Sequence, residues 1–229
     1  MKTRSAKKVW QICLWASFLP AVFFSFSNAQ TAGNTEKDNQ IWNETQLVVW
    51  SNDRHELSVS GGLRLGRNLS YLTDRSVSVL YSYKPSAYLT LAGGYLYRAV
   101  LPFANRKTFE NRLSGSLTFN VPLPGKFKLA NRHIFEYRAV NSRSDLRVYR
   151  NRLRLEREVS FGKTKITPFG SVEVFYSQRD HWYRSRYAFG VGKKLTKHVS
   201  GEIFYQRQND AVTRPGDLNV IGTSVRIKL

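Results

Sequence analysis

Residues 151–158, NRLRLERE, put charge on alternate positions: Arg152, Arg154, Glu156 and Glu158 flank Leu153 and Leu155. A β-strand sends successive side chains to opposite faces, so a period of two separates the charges from the leucines completely. The same alternation recurs beyond the first 29 residues, where no segment sustains a helical period. Strands are expected near 41–50, 55–66, 75–84, 87–99, 107–120, 126–139, 146–159, 165–177, 182–193, 199–208 and 218–229. Several run to ten or more residues. Strands of soluble proteins are typically about 5–6 residues, whereas a tilted membrane-crossing strand needs about 9–11.

The connections alternate as well. SNDR, KPSA, VPLPG, FGKT and LTKH are tight, while GRNLSYLTD, LPFANRK, AVNSRSD, SQRD and NDAVTRPGD are longer and polar. Short turns on one rim and longer loops on the other belong to an outer-membrane barrel. The expectation is an all-β, antiparallel up-and-down transmembrane β-barrel, with NSRSD and TRPGD outside the cell and KPSA and FGKT in the periplasm. Eleven segments conflict with the even strand number of bacterial barrels. The count is therefore expected at about 12 strands (10–12), through a missed strand, a segment that is not a strand, or residues 30–40 threading the lumen.

The N-terminus reads as a signal peptide over residues 1–29. Lys2, Arg4, Lys7 and Lys8 precede a mostly apolar run from Val9 to Phe26, interrupted by Pro20, and Ser27-Asn28-Ala29 supplies small residues for cleavage. Cys13 lies inside this segment, so the exported chain would have no cysteine, which excludes disulfides and thiol chemistry. Residues 30–40, QTAGNTEKDNQ, read as a flexible lead-in and 41–229 as the barrel. Taking the four basic groups of the signal from 36 Lys+Arg leaves 32 against 16 Asp+Glu, a net +16. Export excludes nucleic acid as the partner of this charge. It directs attention to outer-membrane lipid, lipopolysaccharide and small anions.

Alternation alone does not say which face is inside. The number and length of the strands favour a membrane barrel over an eight-stranded soluble one. So do the aromatics, 14% of the chain, which cluster near strand ends at Tyr81 and Tyr83, Tyr95 and Tyr97, Trp182 and Tyr183. In the final NVIGTSVRIKL, Ile221, Val225, Ile227 and Leu229 share one phase and Gly222, Ser224, Arg226 and Lys228 the other. This resembles the terminal signal read by the barrel-assembly machinery, with Leu229 in place of the usual aromatic.

Taken in order, Trp42, LAGGYLYR, ENRLSG, NRHIFEYR, NRLRLERE, TPFGSVEVFY, GVGKKL and IFYQRQ resemble domain-of-unknown-function family 2490, a group of predicted bacterial outer-membrane barrels. The resemblance covers nearly all of the chain after residue 29. It implies an outer-membrane barrel and carries no catalytic residue, ligand or cofactor.

With Leu153 and Leu155 toward lipid, the charges of that strand face the lumen. An Arg or Lys on the lipid face at mid-depth costs about 2–4 kcal/mol, which fixes the phase. Asn-Arg-x-x-x-Glu occurs twice, at 131–136 and 151–156. If the two copies lie on antiparallel neighbours joined near Ser144, Arg132 pairs with Glu156 and Glu136 with Arg152. Across VPLPG, Glu110 falls by Arg138 and Arg112 by Glu136. Across FGKT, with Gly162 and Lys163 central, Glu173 meets Arg152. The expected lumenal belt is Glu110, Arg112, Arg132, Glu136, Arg138, Arg152, Arg154, Glu156, Glu158, Glu173 and Arg186. Such a belt either plugs the lumen structurally or forms a narrow, anion-preferring pore.

The four histidines, His55, His133, His181 and His198, lack metal-ligand spacing. His133 fits an interfacial position. His198-Val199-Ser200 resembles the motif of outer-membrane lipid A deacylases, with Ser200 as nucleophile, His198 as base and Glu202 or Asp210 as the orienting acid. No phosphate loop or cofactor fingerprint occurs. The sequence therefore points to a non-enzymatic, porin-like outer-membrane barrel. The alternatives are an outer-membrane lipid hydrolase and a secreted soluble ligand-binding barrel.

Overall fold

The computed structural model describes residues 37–103, 106–141, 143–162 and 164–229. The expected signal peptide with Cys13, and residues 30–36 of the lead-in, lie outside the described residues.

Twelve strands follow in chain order: β1 (Lys37–Ser51), β2 (His55–Gly66), β3 (Tyr71–Ser86), β4 (Leu89–Phe103), β5 (Arg106–Leu123), β6 (Phe127–Val140), β7 (Arg143–Arg157), β8 (Val159–Phe161), β9 (Thr164–Ser177), β10 (His181–Lys194), β11 (Val199–Asp210) and β12 (Asp217–Lys228). Every segment expected from the alternation falls on one of them. The twelfth, β8, is three residues long and pairs only with β9, Val159 opposite Ile166. It keeps the register of β7 on β9, where Leu155 lies opposite Gly170. It is thus the end of β7, resumed after an interruption at Glu158; Arg157, the last residue before it, falls across from Pro168, which has no N–H to donate to the ladder. The wall of the barrel has eleven staves.

An odd number of staves in an up-and-down order leaves the first and last running in the same direction. The closing seam is accordingly parallel, from Lys37 opposite Asp217 to Val48 opposite Lys228. Because β1 starts at Lys37, residues 37–40 belong to the seam and not to a flexible lead-in. The connections are also more alike than expected. Strands run through most of the supposed loops, and the longest connection, 211–216, has six residues. We call the ends at β2–β3, β4–β5, β6–β7, β9–β10 and β11–β12 the upper rim, and the opposite ends the lower rim.

At the upper rim, Arg67, Asn68 and Leu69 all have positive φ (52, 52 and 71°). Left-handed backbone costs about 1–2 kcal/mol per non-glycine residue. The Asp38 carboxylate offsets this by accepting the N–H of Arg67 at 3.0 Å and of Asn68 at 2.7 Å.

The two faces of the wall are inverted relative to a soluble barrel. Leu113 and Phe135 point outward and are 58% and 56% exposed, whereas Glu136 and Glu173 point inward at 5% and 3%. Tyr95, Tyr97 and Trp182 join the outer surface. Tyr183 does not. A register shift between Trp182 and Arg184 turns it inward, against Phe175. Leu146, Val148, Phe175 and Tyr183 form a small apolar cluster inside the upper half.

Candidate functional site in the barrel lumen

Around the upper half of the lumen, successive strands each contribute an inward charge, and the charges alternate in sign. Asp74 on β3 accepts from Arg98 Nε at 2.5 Å and lies 3.6 Å from Arg64 Nη1. Arg98 reaches Glu110 at 3.7 Å, and Glu110 binds Arg112 through Nη2 (2.6 Å) and Nε (2.8 Å). Arg112 lies 3.4 Å from Glu136, which also accepts from Arg138 Nε (2.8 Å) and Arg150 Nη1 (2.6 Å). Arg150 then bridges to Glu173 through Nη2 at 2.6 Å. Glu173 accepts further from Arg152 at 3.2 Å and Arg186 at 3.5 Å. The Trp42 ring on β1 closes the circuit, 5.1 Å from the Arg186 guanidinium and 3.9 Å from that of Arg64. The β11 strand joins through Gln208, which accepts from Arg186 Nε at 2.8 Å, and through Asp210 with Arg184.

This ring leaves little of its charge to water. Asp74, Glu110, Glu136 and Glu173 are buried, and Glu136 and Glu173 are each shared by three guanidiniums. A planar guanidinium with five donors can serve two carboxylates at once, which an ammonium on one stem does less well. Phe175 fills the space on the upper-rim side, with Arg150, Arg184 and Arg186 at 4.8, 5.3 and 4.7 Å from its ring centre.

The lower half is built differently. Its inward positions include Ser60, Ser78, Ala92, Ser114, Gly190 and Gly222. Phe204 projects into the room that two glycines leave: a Cβ on Gly222 would stand 2.1 Å from its Cζ, and one on Gly190 2.5 Å from its Cβ. Charged groups here form separate clusters. Arg154 binds Glu202 (2.8 Å) and Glu156 (2.9 Å) and stacks over Phe169, and Arg226 binds Gln46 and Glu56, each at 2.5 Å. The Arg152, Arg226 and Glu202 side chains remain 37%, 37% and 34% exposed. The lumen is packed above and open below.

Residues 39–219 match the family described as protein of unknown function DUF2490. The chain belongs to this family. No curated protein matches the sequence. Solved structures similar to this DUF2490 chain include LpxR from Salmonella typhimurium, at TM-score 0.50 and 11% identity, covering 79% of this chain and 84% of that one. The NanC porin has TM-score 0.48 and 15% identity, covering 83% and 99%. The β domain of the Bordetella autotransporter BrkA has TM-score 0.49 and 11% identity, covering 74% and 89%. At such identities the LpxR likeness is one of fold.

Within this DUF2490 barrel, the structure brings together Glu110, Arg112, Glu136, Arg138, Glu173 and Arg186 in the upper ring, with Arg152 attached to Glu173 at the ring's lower edge, where its side chain enters the open half. Arg154 and Glu156 belong to the lower cluster. Glu158 stands apart beyond the end of β7, exposed and paired with Lys165 at 3.2 Å. Arg132 is inward but hydrogen-bonds only Ser116 among the described residues, at 3.3 Å. Of the expected cross-strand pairs, Arg152 with Glu173 is directly opposed. The others shift. Arg132 faces Arg152 instead of Glu156, and Glu136 faces Val148 instead of Arg152, because β6 and β7 are joined at 141–142 and not around Ser144. Glu110 faces Val140 and Arg112 faces Arg138, a displacement of two residues caused by the 3-10 turn Pro124–Lys126. Long guanidinium side chains still carry the diagonal contacts, Arg138 to Glu110 at 3.8 Å and Arg112 to Glu136 at 3.4 Å.

Sequence reasoning missed Arg150, the residue that joins Glu136 to Glu173, although it shares the inward phase of Arg152 and Arg154. It also missed Arg64, Asp74, Arg98 and Arg184, and gave Asp210 only the part of a candidate orienting acid. Their signal was a charge on the inward phase a few residues from the upper end of a strand.

The candidate hydrolytic residues do not assemble. His198 Nδ1 contacts the Lys228 carbonyl at 2.9 Å, Glu202 is held by Arg154, and Asp210 lies at the other end of β11 with Arg184. Outward-facing His133 contacts the Tyr149 hydroxyl at 2.7 Å. Among the described residues no group of three or more His, Asp or Glu could hold a metal ion.

Proposed function

We propose that this chain is a non-enzymatic bacterial outer-membrane barrel, exported by the signal peptide at 1–29, whose lumen is sealed by the upper ring. The observation that carries this reading is the burial of Glu136 and Glu173, each among three arginines. Ion pairs that exclude water this way cross-brace the wall and leave no continuous aqueous path. The outer apolar and aromatic surface faces outer-membrane lipid and lipopolysaccharide, and β12 is the strand offered to the barrel-assembly machinery. The upper rim lies outside the cell and the lower rim in the periplasm.

Single-channel recording on the refolded protein tests the seal. The wild type gives no conductance steps, and Glu136→Ala combined with Glu173→Ala opens an anion-preferring path, most selective at low salt where screening is weak. Steady wild-type conductance would overturn the sealed reading in favour of a narrow anion pore, which the excess of lumenal arginine also supports. Orientation is tested by impermeant labelling of intact cells: a cysteine at Ser144 reacts and one at Thr164 does not. The absence of enzymatic activity is supported by the engagement of Glu202 with Arg154. Deacylation of lipid A by the wild type and its loss in Ser200→Ala would reverse that assignment.

A further inference from the structure

We infer that the open lower half of the lumen carries a binding site for one small oxyanion, a phosphate, sulfate or carboxylate group, between Arg132 and Arg152. These two arginines are direct cross-strand partners on the inward face of β6 and β7. Like charges directly opposite each other in a ladder are destabilising. In the upper ring every guanidinium is paired with a carboxylate, but Arg132 makes no ion pair among the described residues, Glu173 and Glu136 attracting it only at longer range, and its one hydrogen bond is to Ser116 Oγ. Its diagonal neighbours on β7, Arg150 and Arg154, are cations too.

The carboxylates on the strands around it are held elsewhere, and Glu44, which shares the inward phase of Trp42, stands across the lumen on β1. Glu136 is held by Arg112, Arg138 and Arg150, and Glu173 by Arg150, Arg152 and Arg186. Glu156 is held by Arg154 and Lys128, and Glu202 by Arg154.

The missing counter-charge is supplied by a ligand. An oxyanion between the two guanidiniums accepts paired N–H donors from each, the geometry in which arginine binds such groups best. The Ser116 hydroxyl, which accepts from Arg132, keeps its own hydrogen to donate. Glu173 fixes Arg152 through Nη2 at 3.2 Å, and the side chain stays 37% exposed to the vestibule. The site stands on this pair whether or not the ring conducts. Only the route depends on the sealed reading: with the ring closed, the anion enters and leaves by the lower rim.

The test uses the refolded barrel in detergent, melted by gel shift in chloride, phosphate, sulfate and acetate at matched ionic strength. A saturable rise in the melting midpoint is expected with at least one oxyanion and not with chloride. Phosphate and sulfate acting alone assign a tetrahedral group, and acetate acting alone assigns a carboxylate. Titration calorimetry with the protecting anion gives one site, weakened about tenfold or more in Arg132→Gln. In chloride, Arg132→Gln melts no lower than the wild type, because the like-charge contact is gone. Lys128→Gln, in the same vestibule, keeps the response. Should Arg132→Gln fail to fold, Arg132→Lys, which retains the charge and loses the fork, shows the same weakening. No oxyanion effect in the wild type, or an undiminished one in the Arg132 variants, would overturn the site.

Discussion

In the upper half of the lumen, Asp74, Glu110, Glu136 and Glu173 are buried and every one of them has two or more arginine partners. In the lower half, Glu202 has one arginine partner and a third of its side chain in water. Both halves are lined by charge and both alternate with an apolar exterior. They differ in what happens when a partner is lost. A buried network depends on all its members, since removing one strands the rest in a poor solvent, whereas a wet pair is replaced by water at small cost. The same fold therefore offers a rigid girdle at one level and an adaptable vestibule at the other.

The largest effect is expected at Glu136. Glu136→Gln leaves Arg112, Arg138 and Arg150 crowded together with one carboxylate fewer. Removing one partner of a buried ion pair costs about 3–5 kcal/mol. Gel-shift melting should show the drop, and Arg150→Gln should restore part of it. In double-mutant cycles, Glu136 should couple more strongly to Arg150, which it touches at 2.6 Å, than to Arg152, which contacts Glu173. Equal coupling to both would mean that the ring behaves as a diffuse charge cloud and not as a chain of contacts.

A smaller loss is expected where the vestibule narrows around Phe204. Gly222→Ala sets a methyl 2.1 Å from the Phe204 Cζ. Overpacking of this kind costs about 1–3 kcal/mol. Phe204→Leu in the same protein should recover most of it, because the clash is with the far end of the ring. Failure to recover would place the obstacle in the backbone of the seam and not in the ring.

Much of this architecture was legible from the residues. All eleven staves could be read, because each alternates over enough positions to mark its phase. The inward phase followed from leucine and arginine sorting to opposite faces. Register was harder, since it depends on the centre of each turn. Moving a turn centre by one residue moves every partner by two. The Gly162 turn (φ +58°) is tight and was centred correctly, so Arg152 met Glu173 as expected. The β6–β7 connection was centred two residues too late, near Ser144, and its pairs moved by four. A polar, serine-rich stretch looks like loop, yet β7 begins at Arg143. The division into upper ring and lower vestibule was not legible, because it depends on how eleven strands stagger around one axis. The misplaced β6–β7 centre, by contrast, is why Arg132 was assigned a glutamate and faces an arginine.

The smallest effect belongs to the lower half. Glu202→Gln removes one partner of Arg154, but Arg154 keeps Glu156 at 2.9 Å and the Phe169 ring at 3.7 Å. The vacated donors meet water, since the Glu202 side chain is 34% exposed. Exposed pairs contribute about 0–1 kcal/mol, so the melting midpoint should fall slightly at low salt. Screening then separates the two halves. At 1 M salt the Debye length is about 3 Å, enough to erase a solvated pair and not a buried one. Glu202→Gln should become indistinguishable from the wild type as chloride is raised, while Glu136→Gln keeps most of its deficit. Chloride serves for this titration because an oxyanion would also occupy the Arg132–Arg152 site and shift both curves. A salt-insensitive deficit in Glu202→Gln would show that water does not reach the lower cluster, and the contrast between the two halves would fail there.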